Sequence, residues 1–253
     1  MSVEHTPRAG YVTGAAGDIG RAIAIRMAQS GCSVLVADLD EQRGAETVRM
    51  VEDAGGQGMF CRTDVSNEAD VSAMVAATRA AFGRLDFGIN NAGIPPKFVT
   101  LDELPKVDWD HNLRVNLTGT FLCMKHAIRT LLEQGQGGTL VNISSVGAIK
   151  SVPLSHVYSA AKRGLLALTA NAAVEYARRG IRVNAISPGY ITGRLAAFTE
   201  SADPAMTAPY KAAIPAGEFG LPTDIADAAY WLCSNAARYV NGHNLVVDGG
   251  MTA

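Results

Sequence analysis

Residues 11–23 of this 253-residue chain read YVTGAAGDIGRAI. A short run rich in β-branched and aromatic residues leads into a glycine-rich turn, and the turn leads into an amphipathic pattern. Small residues let a backbone approach a pyrophosphate closely, and the free N–H groups of a helix N-terminus favour negative charge. Such turns also simply join strands to helices. The stretch therefore predicts a strand–turn–helix unit in which Gly14, Gly17 and Gly20 could hold a dinucleotide.

An acidic residue, Asp38, ends the next predicted strand, 18 residues after Gly20. A carboxylate at this place can accept hydrogen bonds from an adenosine ribose and would repel a 2′-phosphate. Residues 15–17 contain no Arg or Lys that could bind such a phosphate. The pattern favours NAD over NADP, and the alternative for Asp38 is a loop or helix-capping residue before Asp40.

Short β-branched runs alternate with longer helical stretches along the chain, seven of the former and six of the latter. This alternation predicts an α/β fold with one doubly wound parallel sheet and helices on both faces. One long helix is predicted over Asp110–Leu132. Two proline-bearing stretches, 94–108 and 192–222, follow carboxyl ends of strands, where open α/β sheets bind ligands. We expect them to be substrate loops of a single domain covering residues 1–253.

The composition excludes several classes of function. Lys and Arg number 22 against 24 Asp and Glu, a net charge of −2, so the chain has no basic excess for a nucleic-acid partner. No segment approaches the ~18–20 continuous apolar residues of a membrane span, and Met1–Ala9 lacks the apolar run of a signal peptide. We expect a cytoplasmic protein with no membrane partner. The four cysteines show no CxxC spacing, which predicts structural thiols and no metal site.

Tyr158 and Lys162 lie four positions apart in a predicted helix, so both project from one face. Ser145 lies 13 residues before the tyrosine, just after a predicted strand. A free phenol has a pKa of ~10, and lowering it to ~7 requires about 4 kcal/mol of differential stabilisation. A neighbouring ammonium could supply part of this. The Tyr and Lys alone would suit an exposed helical pair, but Ser145 and the dinucleotide turn together favour a catalytic site.

These motifs, in this order, resemble those of the short-chain dehydrogenase/reductase family over residues 10–250, and within it the one-domain members of about 250 residues. The matching residues are the 13–20 turn, Asp64-Val65, Asn90–Gly93, Asn116, Ser145, Tyr158, Lys162, Pro188-Gly189 and Asp248–Gly250. The resemblance implies a Rossmann-type fold, a nicotinamide cofactor and a homotetramer.

The resemblance also implies roles for single residues. Tyr158 would be the acid/base, and Lys162 would bind the nicotinamide ribose and lower the pKa of the tyrosine. Ser145 would orient the reacting oxygen, and Asn116 would hold a water in a proton relay. The implied cofactor contacts are Gly14, Gly17, Asp18, Ile19, Gly20, Asp38, Leu39, Asp64, Val65, Asn91, Ala92, Gly93, Tyr158, Lys162, Pro188, Gly189 and Ile191.

Two positions depart from the family pattern. Asp18 stands where the family turn usually has glycine, which brings a carboxylate close to the expected pyrophosphate. We expect Asp18 to cap a helix that begins at Ile19. Gly193 stands where the family has a threonine two places after Ile191, so a contact from that side chain to the carboxamide is missing.

The sequence thus predicts an NAD-dependent oxidoreductase that interconverts a small secondary alcohol and a ketone. One alternative is an NADPH-dependent 3-oxoacyl-thioester reductase, which shares this skeleton. Another is a catalytically idle NAD-binding scaffold on the same fold. The presence of Asn116, Ser145, Tyr158 and Lys162 together favours an enzyme over the scaffold.

Overall fold

A computed structural model describes residues 7–193 and 204–253 of the chain. Within them, seven parallel strands form one sheet in the order β3-β2-β1-β4-β5-β6-β7. The strands are β1 (Ala9–Thr13), β2 (Ser33–Asp38), β3 (Gly58–Arg62), β4 (Phe87–Asn90), β5 (Gly138–Ile143), β6 (Ile181–Pro188) and β7 (Asn244–Val247). The order reverses direction between β1 and β4, which creates the crevice that doubly wound sheets use for ligands. The predicted doubly wound α/β fold is confirmed.

Helices cover both faces of the sheet. The α-helices of the described ranges are α1 (Asp18–Ala28), α2 (Glu41–Asp53), α3 (Glu68–Phe82), α4 (Lys106–Leu113), α5 (Gly119–Gln134), α6 (His156–Tyr176), α7 (Pro204–Ala212) and α8 (Pro222–Cys233). One face packs against α1, α2 and α8, and the other against α3, α5 and α6. Because both faces are covered, the central strands are buried almost throughout, which explains their continuous apolar runs.

A chain of buried polar side chains crosses the centre of the sheet. Tyr11 on β1 donates to Asn90 Oδ1 on β4 at 3.0 Å, and Asn90 Nδ2 donates to Asn142 Oδ1 on β5 at 2.7 Å. Asn142 Nδ2 donates in turn to Thr169 Oγ1 on α6 at 2.9 Å. Buried polar groups are costly unless they are paired, so this network fixes how three strands and α6 lie relative to one another.

The structure corrects the single helix predicted over Asp110–Leu132. Here α4 starts earlier, at Lys106, and a π-helical turn at Arg114–Thr118 separates it from α5. Such a turn inserts an extra residue into the helical pattern, and the apolar periodicity of the sequence does not reveal it.

The two predicted substrate loops contain more helix than expected. The 94–108 stretch ends in the first turn of α4, and the 192–222 stretch includes α7. Residues 194–203 of the second loop lie outside the described residues. In the part of the chain that the structure describes, no helix combines the length and the apolar character needed to cross a bilayer.

Candidate active site

A groove of about 700 Å³ lies at the carboxyl ends of β1, β2 and β4, at the point where the strand order reverses. Most of the residues predicted to contact a cofactor line it. They are Gly14, Gly17, Asp18, Ile19, Gly20, Asp38, Leu39, Asp64, Val65, Asn91, Ala92, Gly93 and Ile191. Residues that are scattered along the sequence thus form one continuous wall.

The glycine turn is held against the segment that follows β4. Asn91 Nδ2 donates to the carbonyls of Thr13 at 2.9 Å and Gly14 at 3.2 Å. Gly14 has a φ of +65°, and a Cβ there would lie 2.8 Å from Ala92 Cα. A Cβ on Gly20 would lie 2.3 Å from the carbonyl oxygen of Gly14. These two glycines are therefore required by the close approach of the backbone as well as by any ligand.

The expected capping role of Asp18 is wrong. The helix α1 begins at Asp18 itself, and Gly17 takes the N-cap position with φ −80° and ψ 164°. Asp18 instead lies in the first helical turn, where a carboxylate interacts favourably with the helix dipole. Its Oδ1 lies 3.7 Å from a guanidinium nitrogen of Arg43 at the start of α2.

Asp38 lines the groove and is hydrogen-bonded to the glycine turn. Its carboxylate accepts from the backbone N–H of Ala16 at 2.9 Å and of Asp40 at 3.1 Å. The cap of α2 is Asp40, which accepts from the N–H of Arg43 at 3.0 Å. The helix-capping part of the alternative for Asp38 is therefore wrong, because Asp40 fills that position, whereas the two hydrogen bonds of Asp38 agree with a role in the loop.

Ser145, Tyr158 and Lys162 lie close to one another, and Lys162 lies beside the groove-lining Gly93, although none of the three lines the groove itself. Ser145 follows β5, and its hydroxyl accepts from the backbone N–H of Gly147 at 3.1 Å. The same hydroxyl lies close enough to Tyr158 to lower the pKa of the phenol. Lys162, one turn after the tyrosine on α6, is buried, and its Nζ lies 5.7 Å from the centre of the Tyr158 ring. The Nζ donates to the carbonyl of Ile143 at 2.8 Å, so the last residue of β5 fixes its position.

Burial acts on both titratable groups of this cluster. It lowers the pKa of Lys162 to about 8. Burial raises the pKa of Tyr158, and the hydrogen bond from Ser145 opposes this effect. The hydroxyl of Ser145 therefore stabilises the phenolate, which is the form a proton acceptor needs.

Asn116 lies in the π-helical turn and is fully buried. Its Nδ2 donates to the Ile94 carbonyl at 3.0 Å and to Asn112 Oδ1 at 2.8 Å, and its Oδ1 accepts from the Ile94 N–H at 3.0 Å. A Cβ on Gly93 would lie 2.6 Å from Asn116 Oδ1 and 3.5 Å from Lys162 Nζ. The amide thus ties the segment after β4 to the catalytic cluster, and its role in a water relay stays a prediction.

Pro188 and Gly189 are not among the groove-lining residues. Pro188 ends β6, and the Gly189 N–H donates to the Val247 carbonyl at 2.9 Å. A Cβ on Gly189 would meet Asp248 Cα at 2.8 Å. This geometry accounts for Gly189 by packing between β6 and the end of β7, and the predicted cofactor contact of both residues stays untested.

Several residues of the groove were missed by the sequence reasoning. They are Ala16, Asp40, Arg43, Thr63, Ser66, His111 and Val115, whereas Ile94, Thr192 and Gly193 lie in the two stretches predicted to be substrate loops. Residues 15–17 contain no cation, but the groove receives Arg43 from the first turn of α2. The spacing of Arg43, five residues after Asp38, could have indicated this, because the first turn of the helix that follows β2 faces the same groove as the end of that strand.

The buried Lys162 predicts a pH-dependent effect on stability. Its pKa is about 8 in the folded chain and 10.5 ordinarily, so the unfolded chain binds more protons between these values. Burial of the ammonium therefore destabilises the fold fully at pH 7, and this penalty decreases as pH rises from about 8 to 10.5. Removing this penalty should stabilise the fold by roughly 3 kcal/mol at pH 7, and losing the hydrogen bond to Ile143 should cost about 1 kcal/mol. We therefore expect Lys162→Met to raise the free energy of unfolding at pH 7 by about 2 kcal/mol.

Urea denaturation at pH 7 and pH 10 measures this difference. The gain should be smaller at pH 10, and an equal gain at both values, or a loss at pH 7, would contradict the burial argument. The exposed Lys125, which pairs with Glu68, provides the control. Lys125→Met should change the free energy of unfolding at pH 7 by less than about 1 kcal/mol.

The chain is similar in sequence and structure to dehydrogenases and a ketoreductase. The chain is 41% identical over 254 residues to cis-4-hydroxycyclohexanecarboxylate dehydrogenase of Sinomonas cyclohexanicum, with 100% of each chain covered. It is 40% identical over 243 residues to 2,5-dichloro-2,5-cyclohexadiene-1,4-diol dehydrogenase of Sphingobium indicum, with 96% of each covered. The crystal structure of an actinorhodin polyketide ketoreductase with NADPH superimposes with a TM-score of 0.90 at 32% identity, with 97% of each covered.

A family model described as enoyl-(acyl carrier protein) reductase matches residues 14–252, nearly the whole chain. The full-length relatives are dehydrogenases and reductases, and the expected fold and cluster of Ser145, Tyr158 and Lys162 are present. The chain belongs to the short-chain dehydrogenase/reductase family and is an oxidoreductase that interconverts an alcohol and a ketone.

Proposed function

We propose that this protein is an NAD-dependent dehydrogenase of a small secondary alcohol, with Tyr158 as the acid/base. The observation that carries the proposal is the convergence of Ser145, Tyr158 and Lys162 beside a groove that ends at Asp38. A proton-transfer site and a dinucleotide-sized groove meet there in a single domain of residues 1–253.

The groove suits a nicotinamide dinucleotide. The N-terminus of α1 presents backbone N–H groups to one wall, and the glycines at 14, 17 and 20 keep that wall free of side chains. The carboxylate of Asp38 offers an acceptor for ribose hydroxyls at the far end. A bound cofactor of this kind supplies the hydride acceptor or donor.

In the direction of alcohol oxidation, the Tyr158 phenolate takes the proton of the substrate hydroxyl, while a hydride leaves the carbon that bears this hydroxyl. The Ser145 hydroxyl holds the reacting oxygen near the phenol and stabilises the phenolate. Lys162, fixed by the Ile143 carbonyl at 2.8 Å, brings a positive charge to the same side of the ring. In the reverse direction, Tyr158 returns the proton to the ketone oxygen. Asn116 holds the Ile94 segment in place beside this cluster.

Replacing the tyrosine separates binding from chemistry. Tyr158→Phe should keep the affinity for NADH within about twofold and lower turnover roughly 10³-fold, because only the transferable proton is lost. Fluorescence titration and the absorbance of reduced nicotinamide measure the two effects. Tyr239→Phe is the control, since Tyr239 is 95% exposed and should leave both values unchanged. Near-normal turnover in the Tyr158 variant would contradict the mechanism.

The preference for NAD rests on Asp38. Its carboxylate is fixed by two backbone N–H groups, and a 2′-phosphate placed beside it would meet a negative charge. Arg43 is a cation in the same groove, but its guanidinium pairs with Asp18. The similar polyketide ketoreductase crystallised with NADPH, so the choice between the two cofactors requires a direct measurement.

Fluorescence titration with both reduced cofactors tests this preference. The wild-type protein should bind NADH at least about tenfold more tightly than NADPH, a difference of about 1.4 kcal/mol. Asp38→Asn, which keeps the shape and removes the charge, should reduce that ratio to about twofold or less. Asp40→Asn is the matched control and should change the ratio far less. Equal binding of NADPH and NADH by the wild-type protein would contradict the role of Asp38.

We further propose an alicyclic alcohol or the matching ketone as the substrate class. Two relatives of about 40% identity are named for alcohols of six-membered carbon rings. Among the described residues, Leu154 is the one non-glycine with a positive φ, +65°, and it lies 40% exposed just before the helix that carries Tyr158. Strained, exposed apolar residues cluster at ligand sites, which supports an apolar substrate contact there. Screening cyclic and open-chain secondary alcohols with NAD tests this class.

A 3-oxoacyl-thioester reductase remains the second candidate. The description of the matching family model and the similar polyketide ketoreductase favour it. Reduction of an acetoacetyl thioester with NADPH, faster than that of any cyclic ketone, would select this alternative. An idle scaffold would bind NADH and convert neither kind of substrate.

We also propose a homotetramer and a cytoplasmic location. The support for self-association is apolar exposure on the helices α5 and α6, where Phe121 is 44% and Val174 83% exposed. Sedimentation velocity at micromolar concentration should give a tetramer, and a monomer would contradict the proposal. The support for the location is that all four cysteines are free thiols, three of them buried, as is usual in a reducing compartment.

A further inference from the structure

We propose that Asp18 and Gly193 form a matched pair in the wall of the cofactor groove, with Asp18 as a positioning residue for cofactor binding. The Asp18 carboxylate fills the space beside Gly193, and the segment after β6 lies against the groove only because residue 193 has no side chain. This inference rests on the proposed cofactor-binding function and deepens it.

Space, and not backbone conformation, requires the glycine at position 193. Gly193 does not lie in the left-handed region that favours glycine, so its backbone would accept another residue. A Cβ built on it would lie 2.6 Å from Asp18 Oδ2 and 3.4 Å from Asp18 Cγ. A separation of 2.6 Å is far inside van der Waals contact, so one of the two groups would have to move.

The segment that carries Gly193 is held on its other side. Ile191 and Gly220 form a parallel β-bridge, the Thr192 N–H donates to the Gly220 carbonyl at 2.7 Å, and the Gly220 N–H donates to the Tyr190 carbonyl at 3.0 Å. A Cβ on Gly220 would lie 2.8 Å from Ile191 Cδ1, so this contact is tightly packed. A retreat of Ile191 and Thr192 from Asp18 would therefore disturb this bridge.

The Asp18 side chain is also restrained. Its side chain is 36% exposed, and its Oδ1 lies 3.7 Å from a guanidinium nitrogen of Arg43, so the ion pair limits rotation on that side. Its place in the first turn of α1 favours the ionised carboxylate. A rotation that clears space at residue 193 would weaken the pair with Arg43 or turn the carboxylate into the groove, where it would meet the phosphates of a dinucleotide.

The contact lies where it affects a ligand. Asp18, Arg43, Ile191, Thr192 and Gly193 all line the groove. The glycine turn and the 191–193 segment form neighbouring parts of its wall, so pushing them apart alters the width of the groove at that point. The two departures from the family pattern, an acidic residue at 18 and a glycine at 193, are thus one feature, because the side-chain volume missing from one position is supplied by the other.

A double-mutant cycle tests the pairing, with the affinity for NADH and NADPH measured by fluorescence titration. Gly193→Ala should weaken binding of the preferred cofactor about tenfold, equivalent to about 1.4 kcal/mol, because the new methyl displaces Asp18 or the 191–193 segment. In the Asp18→Ala background the same change should weaken binding by about twofold or less. There the two atoms of Asp18 that lie nearest the added Cβ are gone, and the Cβ of residue 18 lies at an ordinary 3.5 Å.

Asp18→Asn is the matched control, since it removes the charge and keeps the volume. In that background Gly193→Ala should still weaken binding about tenfold if space is the cause. Thermal melting without cofactor should shift by less than about 3 °C in every variant, which separates a change in the groove from general destabilisation. In steady-state kinetics, the Gly193→Ala effect should appear in the KM for the cofactor and much less in kcat.

Two results would overturn the pairing. One is wild-type affinity in Gly193→Ala, and the other is an equal loss in the wild-type and Asp18→Ala backgrounds. If the wild-type protein binds neither NADH nor NADPH, the proposed function fails and this inference fails with it. Binding without coupling between the two positions contradicts the pairing alone.

Discussion

The junction between the carboxyl ends of β1 and β4 is the contact on which the rest of this molecule depends. Thr13 Oγ1 accepts from the N–H groups of Asn91 and Ala92, both at 3.0 Å, and Asn91 Nδ2 returns hydrogen bonds to the carbonyls of Thr13 and Gly14. Two strands that separate to form a crevice would otherwise leave these backbone groups unpaired. Their pairing holds the glycine turn and the segment after β4 as opposite sides of one groove.

The polar network below this junction connects the strands that border the groove to α6. Tyr11, Asn90, Asn142 and Thr169 link three strands to α6, and α6 carries Tyr158 and Lys162. The resulting site favours chemistry over stability. A buried ammonium with a pKa lowered to about 8 destabilises the fold at neutral pH, yet it places a charge near the phenol that we propose as the acid/base.

Local patterns were sufficient to predict the fold, and the family resemblance predicted most of the residues that line the groove. The alternation of β-branched runs with helical stretches required a doubly wound parallel sheet, and the carboxyl ends of parallel strands necessarily meet at one edge. Thirteen of the 17 residues predicted to contact a cofactor line that edge together. The π-helical turn at Arg114–Thr118 was not predictable, because its extra residue leaves no mark on the apolar periodicity. The sequence could not show whether Asp38 or Asp40 caps α2, because the two residues have the same side chain and lie two positions apart.

The sequence by itself determined the reaction class. The residue types and spacing of Ser145, Tyr158, Lys162 and the glycine turn indicate this chemistry and carry the family resemblance. Only the tertiary structure decided what surrounds these groups. It brought Arg43 into the groove beside Asp18, and it put Asp18 against Gly193 although 175 residues separate them in the chain. The reason is physical: spacing along a helix or strand specifies neighbours within an element, whereas contacts between loops depend on how separate elements pack across the sheet.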